Sequence, residues 1–429
     1  METMKNASSD SNVLKGVSLL NSKQGQSGGF VDVDGDGIDD KVVGAPYAAT
    51  DSSSGAVLVY RGDSAGAYSS APTLALTGDD NLGFSFAGLG DVDGDGKGDF
   101  AVGAISGDGE DASLCGSVYI YKGGSNGQII KKLTGEGAMD KFGISIASGD
   151  LNNDGSKDII VGAPFNTNDP SLYQQGAVYL FFGPDFTSKL SLYASSTNKG
   201  LGWAVASGDV NGDGISDLLI SASGKGLVYY GATGFNPAIN SPSIAIFNSA
   251  TGFGKSLAVI GDIDGVSGDE IAIGSPGATV NNNRDTGSVY VIKGGTTTIL
   301  AQMNGANLFD RFGSSVAPVP DMDGDSNPEL VVGATTANSG PNYLSGRVYL
   351  FKSTGLLGST WPPSSAFDGN MKDQGYGTFL SPARSGKLLI GAPRSNMDTG
   401  GVSMVDLATG KMVPDGSSGG GGGGGGECH

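Results

Sequence analysis

Six Asp-rich loops at near-constant spacing, four strand-like segments per interval and an abundance of glycine predict an all-β chain, a seven-bladed β-propeller of four-stranded antiparallel blades. The loops begin at Asp32, Asp91, Asp150, Asp209, Asp262 and Asp321, in steps of 59, 59, 59, 53 and 59 residues. Each leads into a short apolar run that ends in Gly-Ala-Pro or a variant, as in DVDGDGIDDKVVGAP from Asp32. A seventh unit retains only KLLIGAP, from Lys387 to Pro393. Self-similarity at a fixed period marks a repeat architecture. The one short step reflects a deletion: after Ile220 the fourth unit runs SASGKGLVYY, where the others carry a longer insertion.

The third unit shows the four segments most plainly. ISIASG follows Phe142-Gly143, DIIVGAP begins at Asp158, GAVYLFFG at Gly176 and KLSLYAS at Lys189. Equivalent third strands are GAVLVYRG from Gly55, GSVYIYKG from Gly116, GSVYVIKG from Gly287 and GRVYLFKS from Gly346. The last unit keeps GVSMVDL from Gly401. NVLKGVSLLNS, from Asn12, resembles a fourth strand, and we expect it to pair into the seventh blade so that no sheet edge is left open. The expected organisation is a disordered end over 1–11, the propeller over 12–412 and a flexible Gly-rich linker or tag over 413–429.

Composition agrees and excludes several functions. Of 429 residues 76 are Gly, which supplies the positive φ that tight turns need. Apolar runs of membrane-spanning length are missing. A formal net charge of −19 argues against nucleic acid or an anionic membrane as partner. The two cysteines, Cys115 and Cys428, permit at most one internal disulfide. The single histidine is His429, at the very end of the chain, which removes His-based acid–base catalysis. Acids outside the loops form no paired motif, so the chain reads as a non-enzyme.

Placement of the acids gives the surplus charge a purpose. Positions 1, 3, 5 and 9 of the first loop hold Asp32, Asp34, Asp36 and Asp40. Oxygen side chains at alternate positions converge as the chain curls, Gly at position 6 allows the turn, and position 7 (Ile38) offers a backbone carbonyl, as a calcium ion requires. The second set is Asp91, Asp93, Asp95, Lys97 and Asp99; the third is Asp150, Asn152, Asp154, Ser156 and Asp158. The fourth is Asp209, Asn211, Asp213, Ile215 and Asp217, and the sixth is Asp321, Asp323, Asp325, Asn327 and Glu329. The fifth keeps Asp262, Asp264 and Glu270 but has Val266 at position 5, so it is the weakest site unless water or Asp269 substitutes. Asp-Gly runs are also ordinary turn formers; four full copies in register favour Ca²⁺, at five or six sites. Five ions would bring −19 to −9.

With these residues in view, the chain resembles the FG-GAP repeats of integrin α-subunit propellers over about residues 12–412. The FG element stands at Phe142-Gly143, Phe253-Gly254 and Phe312-Gly313, and in altered form at Leu82-Gly83, Leu201-Gly202 and Tyr376-Gly377. The GAP element stands at Gly44-Ala45-Pro46, Gly162-Ala163-Pro164 and Gly391-Ala392-Pro393. The resemblance implies calcium hairpins on one face of a ring and partner binding on the other, through the loops after GAP. Integrin-type disulfides are missing here, which points to a microbial or algal relative, or a simplified domain, more than to an animal receptor.

Those loops carry Tyr47, Phe165, Tyr173, Arg284, Asn342, Tyr343 and Arg394, either a shared binding rim or unselected variation. Trp203 and Trp361 read as packing residues more than sugar platforms. Arg61-Gly62-Asp63 spells an adhesion tripeptide but occupies an ordinary turn position, equivalent to Lys122-Gly123-Gly124. Asn6-Ala7-Ser8 fits a glycosylation sequon. The expected function is an extracellular adhesion or assembly module with a protein or matrix partner. The alternatives are a lectin-like glycan binder, or a non-catalytic domain of a larger cell-surface protein.

Overall fold

The computed structural model describes residues 26–413, apart from short stretches at 50–53, 79, 107–113, 125–126, 168–173, 195–198, 339–341, 354–362, 384 and 394–399. Among these described residues, twenty-eight strands form seven four-stranded sheets, each antiparallel and built from four consecutive strands. The third blade contains Ser145–Gly149, Asp158–Ala163, Ala177–Phe181 and Lys189–Tyr193, matching the four segments read from the sequence.

Burial explains the strand composition. The second strands Asp99–Ala104, Asp158–Ala163, Asp217–Ala222 and Glu329–Ala334 are buried at every residue, because neighbouring blades cover both faces. A strand packed on both sides reads as a continuous apolar run, and DIIVGA does. The core is correspondingly divided into seams, with one cluster spanning each neighbouring pair from blades 1 and 2 to blades 6 and 7. The strand Ser27–Val31 of blade 1 contacts Leu380–Pro382 and Lys387–Gly391 of blade 7, which closes the ring.

The two repeat motifs meet at the seams. A Cβ on Gly103, the GAP glycine of blade 2, would lie 2.3 Å from the carbonyl oxygen of Gly143, the FG glycine of blade 3. Gly44 stands to Gly83, Gly162 to Gly202 and Gly333 to Gly377 in the same way. Each of these FG glycines has φ between +84° and +99°, a region that disfavours L side chains. A serine on the first strand of the preceding blade then donates to that FG carbonyl. Ser27, Ser85, Ser145, Ser256 and Ser315 do so at 2.5–3.0 Å.

Blade 4 departs from the pattern: Ala204 takes the serine position and Ser221 the GAP-glycine position, and Ser221 Oγ accepts the Ala204 N–H at 2.8 Å. In the seventh blade Lys411–Met412 pairs with Val402–Asp406 as the fourth strand. The closing strand expected from Asn12 lies outside the described residues, as do residues 1–11 and the tail from 414.

Candidate metal centres

Each Asp-rich loop joins the first and second strands of its blade, and position 9 is the first residue of the second strand or, in the fifth loop, the residue before it. Because that strand is buried between blades, the position-9 carboxylate is buried too: Asp40, Asp99, Asp158, Asp217, Glu270 and Glu329 are each at most 2% exposed. One oxygen accepts the N–H of position 2, at 2.7–3.1 Å in all six loops. The other accepts the N–H of the glycine after the third strand, namely Gly62, Gly123, Gly183 and Gly231 at 2.8–3.0 Å and Gly294 at 3.4 Å. Position 9 therefore clasps the loop to the blade's far turn.

Glu329 lacks the second bond. Ser353 replaces the turn glycine and its hydroxyl donates to Asp325 instead, so Glu329 Oε1 is a buried oxygen without a donor. A cation would satisfy it.

Position 1 organises the curl. Asp32 accepts the N–H groups of Gly35, Asp36 and Gly37 at 2.8–3.1 Å, and Asp91, Asp209 and Asp321 repeat the arrangement. Position 5 accepts the N–H of position 7, from Ile38, Lys97, Ser156, Ile215 and Asn327. Glycine at position 6 has φ of +83° to +88° in the first four loops, and Ser326 in the sixth adopts +72°.

Carboxylate oxygens converge within 4.8 Å in four loops: Asp32, Asp34 and Asp36; Asp91, Asp93 and Asp99; Asp262, Asp264 and Glu270; Asp321, Asp323 and Asp325. The fifth loop, expected to be the weakest, still gathers three; Asp269 is outside this group and donates its N–H to the Asp209 carbonyl of the neighbouring loop. Val266 at its position 5 is 51% exposed. The third and fourth loops place asparagine at position 3, and Asn152 and Asn211 donate to Asp154 and Asp213 at 2.9 Å. This oxygen-only donor set at short mutual distance fits a hard cation.

The electrostatics show what a cation would relieve. Burial, with the neighbouring carboxylates adding to it, pushes Asp40, Asp158 and Asp217 up to about 6 and Glu329 to about 7, while Asp99 and Glu270 move the same way. Position 1 of the sixth loop goes the other way, because backbone N–H groups hold the ionised Asp321.

Sequence reasoning missed the basic residues around these loops. Arg61 pairs with Asp34 at 2.7 Å and Asp36 at 3.1 Å, Lys122 with Asp93 and Asp95, Lys293 with Asp264, and Lys352 with Asp323 at 3.4 Å. The tripeptide Arg61-Gly62-Asp63 is thereby engaged internally. Gly62 donates to Asp40, and Asp63 accepts the N–H groups of Ala65 and Ala67. Asp140 and Asp310, two residues before the FG phenylalanines Phe142 and Phe312, were also overlooked; both are buried turn caps.

On the other side of the blades, among the connections after the second strands, blade 4 has only Ser223 and Gly224 between Ala222 and Lys225. A cavity of about 350 Å³ opens there, lined by Lys199, Trp203, Ser223, Phe253 and Lys255. Lys255 Nζ sits 3.1 Å from the Trp203 ring centroid, and Phe165 packs edge-on against the same ring. Burial lowers Lys255 to about 8. Of the other rim residues, Tyr47, Arg284 and Tyr343 are exposed, and Asn342 donates to the Asn370 carbonyl. Tyr173, Trp361 and Arg394 lie outside the described residues, as does Asn6. Cys115 is buried, and its thiol donates to the Gly116 carbonyl at 3.4 Å.

Comparison with known proteins agrees with this architecture. The FG-GAP repeat matches residues 142–181, 201–235 and 312–351, and an FG-GAP-like repeat matches 91–161. Integrin alpha-PS5 of Drosophila melanogaster is 33% identical over 38% of this chain and 18% of its own length. Integrin alpha-4 of Xenopus laevis is 29% identical over 52% of this chain and 23% of its own. The chain thus spans less than a quarter of these relatives. Among solved structures, BBS1N in complex with ARL6DN superposes with a TM-score of 0.52 over 90% of this chain and 91% of that one; at 12% identity this speaks for the fold alone. The chain is an FG-GAP-repeat β-propeller of seven blades, of the kind found in integrin α-subunits.

Proposed function

We propose that the chain is a calcium-stabilised adhesion or assembly domain, working outside the cell, which binds a protein partner on the face away from the metal loops. The observation that carries the calcium half is the convergence of three carboxylates within 4.8 Å in each of four loops, with a donorless buried oxygen on Glu329 beside one of them. Asp32, Asp91, Asp150, Asp209, Asp262 and Asp321 at position 1, the position 3 and 5 side chains, the carbonyl of position 7 and the acids at position 9 would hold the ions. The bound ion would offset charge that burial makes costly and lock first strand to second. Loops of this kind, without flanking helices, suit the high calcium levels found outside cells.

Support for the partner half comes from the cavity at blade 4. The missing insertion leaves Lys199 and Lys255 lining an open, aromatic-walled recess in a chain of net charge −19. A carboxylate side chain of a partner protein fits that recess. Lys255 over the Trp203 face leaves that ring poorly suited to stacking a sugar, which favours protein over glycan.

Isothermal titration should return five or six calcium sites per chain, and calcium should raise the melting temperature. Cell attachment to the immobilised domain should fall with EDTA and with Lys255→Glu. Attachment indifferent to both, or a melting curve unmoved by calcium, counts against the reading.

A further inference from the structure

The residue immediately after the third strand differs among the six calcium-loop blades in a way that tracks position 3 of the loop. It is Arg61, Lys122, Lys293 and Lys352 where position 3 is Asp34, Asp93, Asp264 and Asp323. It is Phe182 and Tyr230 where position 3 is Asn152 and Asn211. The correspondence holds in all six blades, and the structure shows its cause: each basic residue forms an ion pair with the position-3 aspartate of its own loop. Arg61 and Lys122 also reach the position-5 aspartate, at 3.1 Å in both cases.

Charge bookkeeping gives the pairing a meaning. Counting positions 1, 3, 5 and 9 with the strand-end residue, loops one, two and six hold four carboxylates and one cation, a net −3. Loops three and four hold three carboxylates and no cation, again −3. Loop five, without an acid at position 5, falls to −2.

We propose that Arg61, Lys122, Lys293 and Lys352 are tethered counter-ions that sort the loops into two classes of calcium site. Resting on the calcium reading above, this assigns each class a different behaviour. In loops one, two, five and six the tethered cation partly neutralises the aspartates when calcium is absent, so the hairpin is held, and the entering ion meets a resident positive charge. Loops three and four have only asparagine hydrogen bonds in that place, at 2.9 Å, so their carboxylates wait on the metal itself. Loops three and four should therefore loosen first in EDTA and respond most to calcium.

Three variants test this: Lys122→Met, Tyr230→Lys and the double change Asp93→Asn with Lys122→Phe, each measured by melting in EDTA and by calcium titration at low salt. A unit charge about 5 Å from a divalent ion is worth roughly a tenfold change in affinity even in a water-like medium. Lys122→Met should tighten one calcium site by about that factor and lower the melting temperature in EDTA. Tyr230→Lys, at a partly exposed position, should weaken one site by a similar factor. The double change, which recreates the third-loop combination, should recover the EDTA melting temperature lost in Lys122→Met. If the parent chain binds calcium and both single variants give isotherms superimposable on it, the counter-ion assignment is overturned alone. A parent chain that takes up no calcium overturns the calcium reading and the site classes together.

Discussion

A carboxylate in the first residue of a doubly covered strand is an expensive choice, and this chain makes a closely similar one six times. Asp40, Asp99, Asp158, Asp217, Glu270 and Glu329 sit where burial favours the neutral acid, and their folded pKa values lie above ordinary carboxylate values. For an acid raised on folding, the stabilising contribution is complete below the unfolded pKa near 4 and is lost as pH climbs through the folded value. Metal-free protein should thus lose melting temperature between about pH 4 and the values near 6 and 7 reached by Asp40, Asp158, Asp217 and Glu329. Calcium, which binds the ionised form, should flatten or reverse that slope. A calorimetric pH series in EDTA and in calcium checks it, and parallel slopes would reject it. Glu329→Gln is the sharpest single probe. Its Oε2 accepts the Met322 N–H and its Oε1 has no donor, so a glutamine can keep the first bond and lose only the charge. It should stabilise metal-free protein at pH 7.5 by about 1 kcal/mol while weakening calcium binding at loop six.

At the scale of the element, the repeat motif is a statement about contact between blades. GAP glycine backs onto FG glycine so closely that a methyl at Gly103 would stand 2.2 Å from Ser85 Oγ and 2.3 Å from the Gly143 carbonyl oxygen. A backbone atom cannot step aside as a side-chain tip can. Gly103→Ala should therefore cost about 1–3 kcal/mol or more in denaturant unfolding, whereas Ser85→Ala, losing one hydrogen bond, should cost about 1 kcal/mol. Equal effects would mean that the seam is softer than its geometry implies. This scale also shows what a sequence can disclose. Strand order, loop positions and the acids at 1, 3, 5 and 9 recur at a fixed period, so they could be read by aligning the chain with itself. The pairing of Lys122 with Asp93 spans 29 residues and has counterparts in blades 1, 5 and 6 but not in blades 3 and 4, so it emerges only when the third strand is laid beside the loop. The cavity at Trp203 and Lys255 needed three connections from two blades to be seen together. Its trace in the sequence is the short step in the repeat after Ile220, a break in spacing that by itself names no ligand.

For the whole molecule, stability is a property of a closed ring, and among the described residues the ring has one thin joint. Six seams carry a hydrophobic cluster shared by two blades. Between blades 7 and 1, the described residues offer the contacts of Ser27–Val31 with Leu380–Pro382 and Lys387–Gly391, and Lys387 lies 5.9 Å from the Tyr68 ring. Blade 7 also has the shortest outer strands, three residues at Leu380–Pro382 and two at Lys411–Met412, and its remnant repeat has no Asp-rich loop for an ion to staple. Few buried contacts and short ladders mark the segments that open first. Amide hydrogen exchange should accordingly be fastest in blade 7 and next fastest in the first strand of blade 1. Adding calcium should slow exchange in blades 1 to 6 far more than in blade 7. If residues 12–22 supply a further strand to that blade, deleting residues 1–25 should speed exchange at Val402–Asp406 specifically and lower the melting temperature by about 1–2 °C for each kcal/mol lost, the scale set by a ring of this size. Exchange at Val402–Asp406 that is unaltered by the deletion would place the ring closure in the C-terminal residues alone, and Lys411–Met412 would then be its entire outer strand.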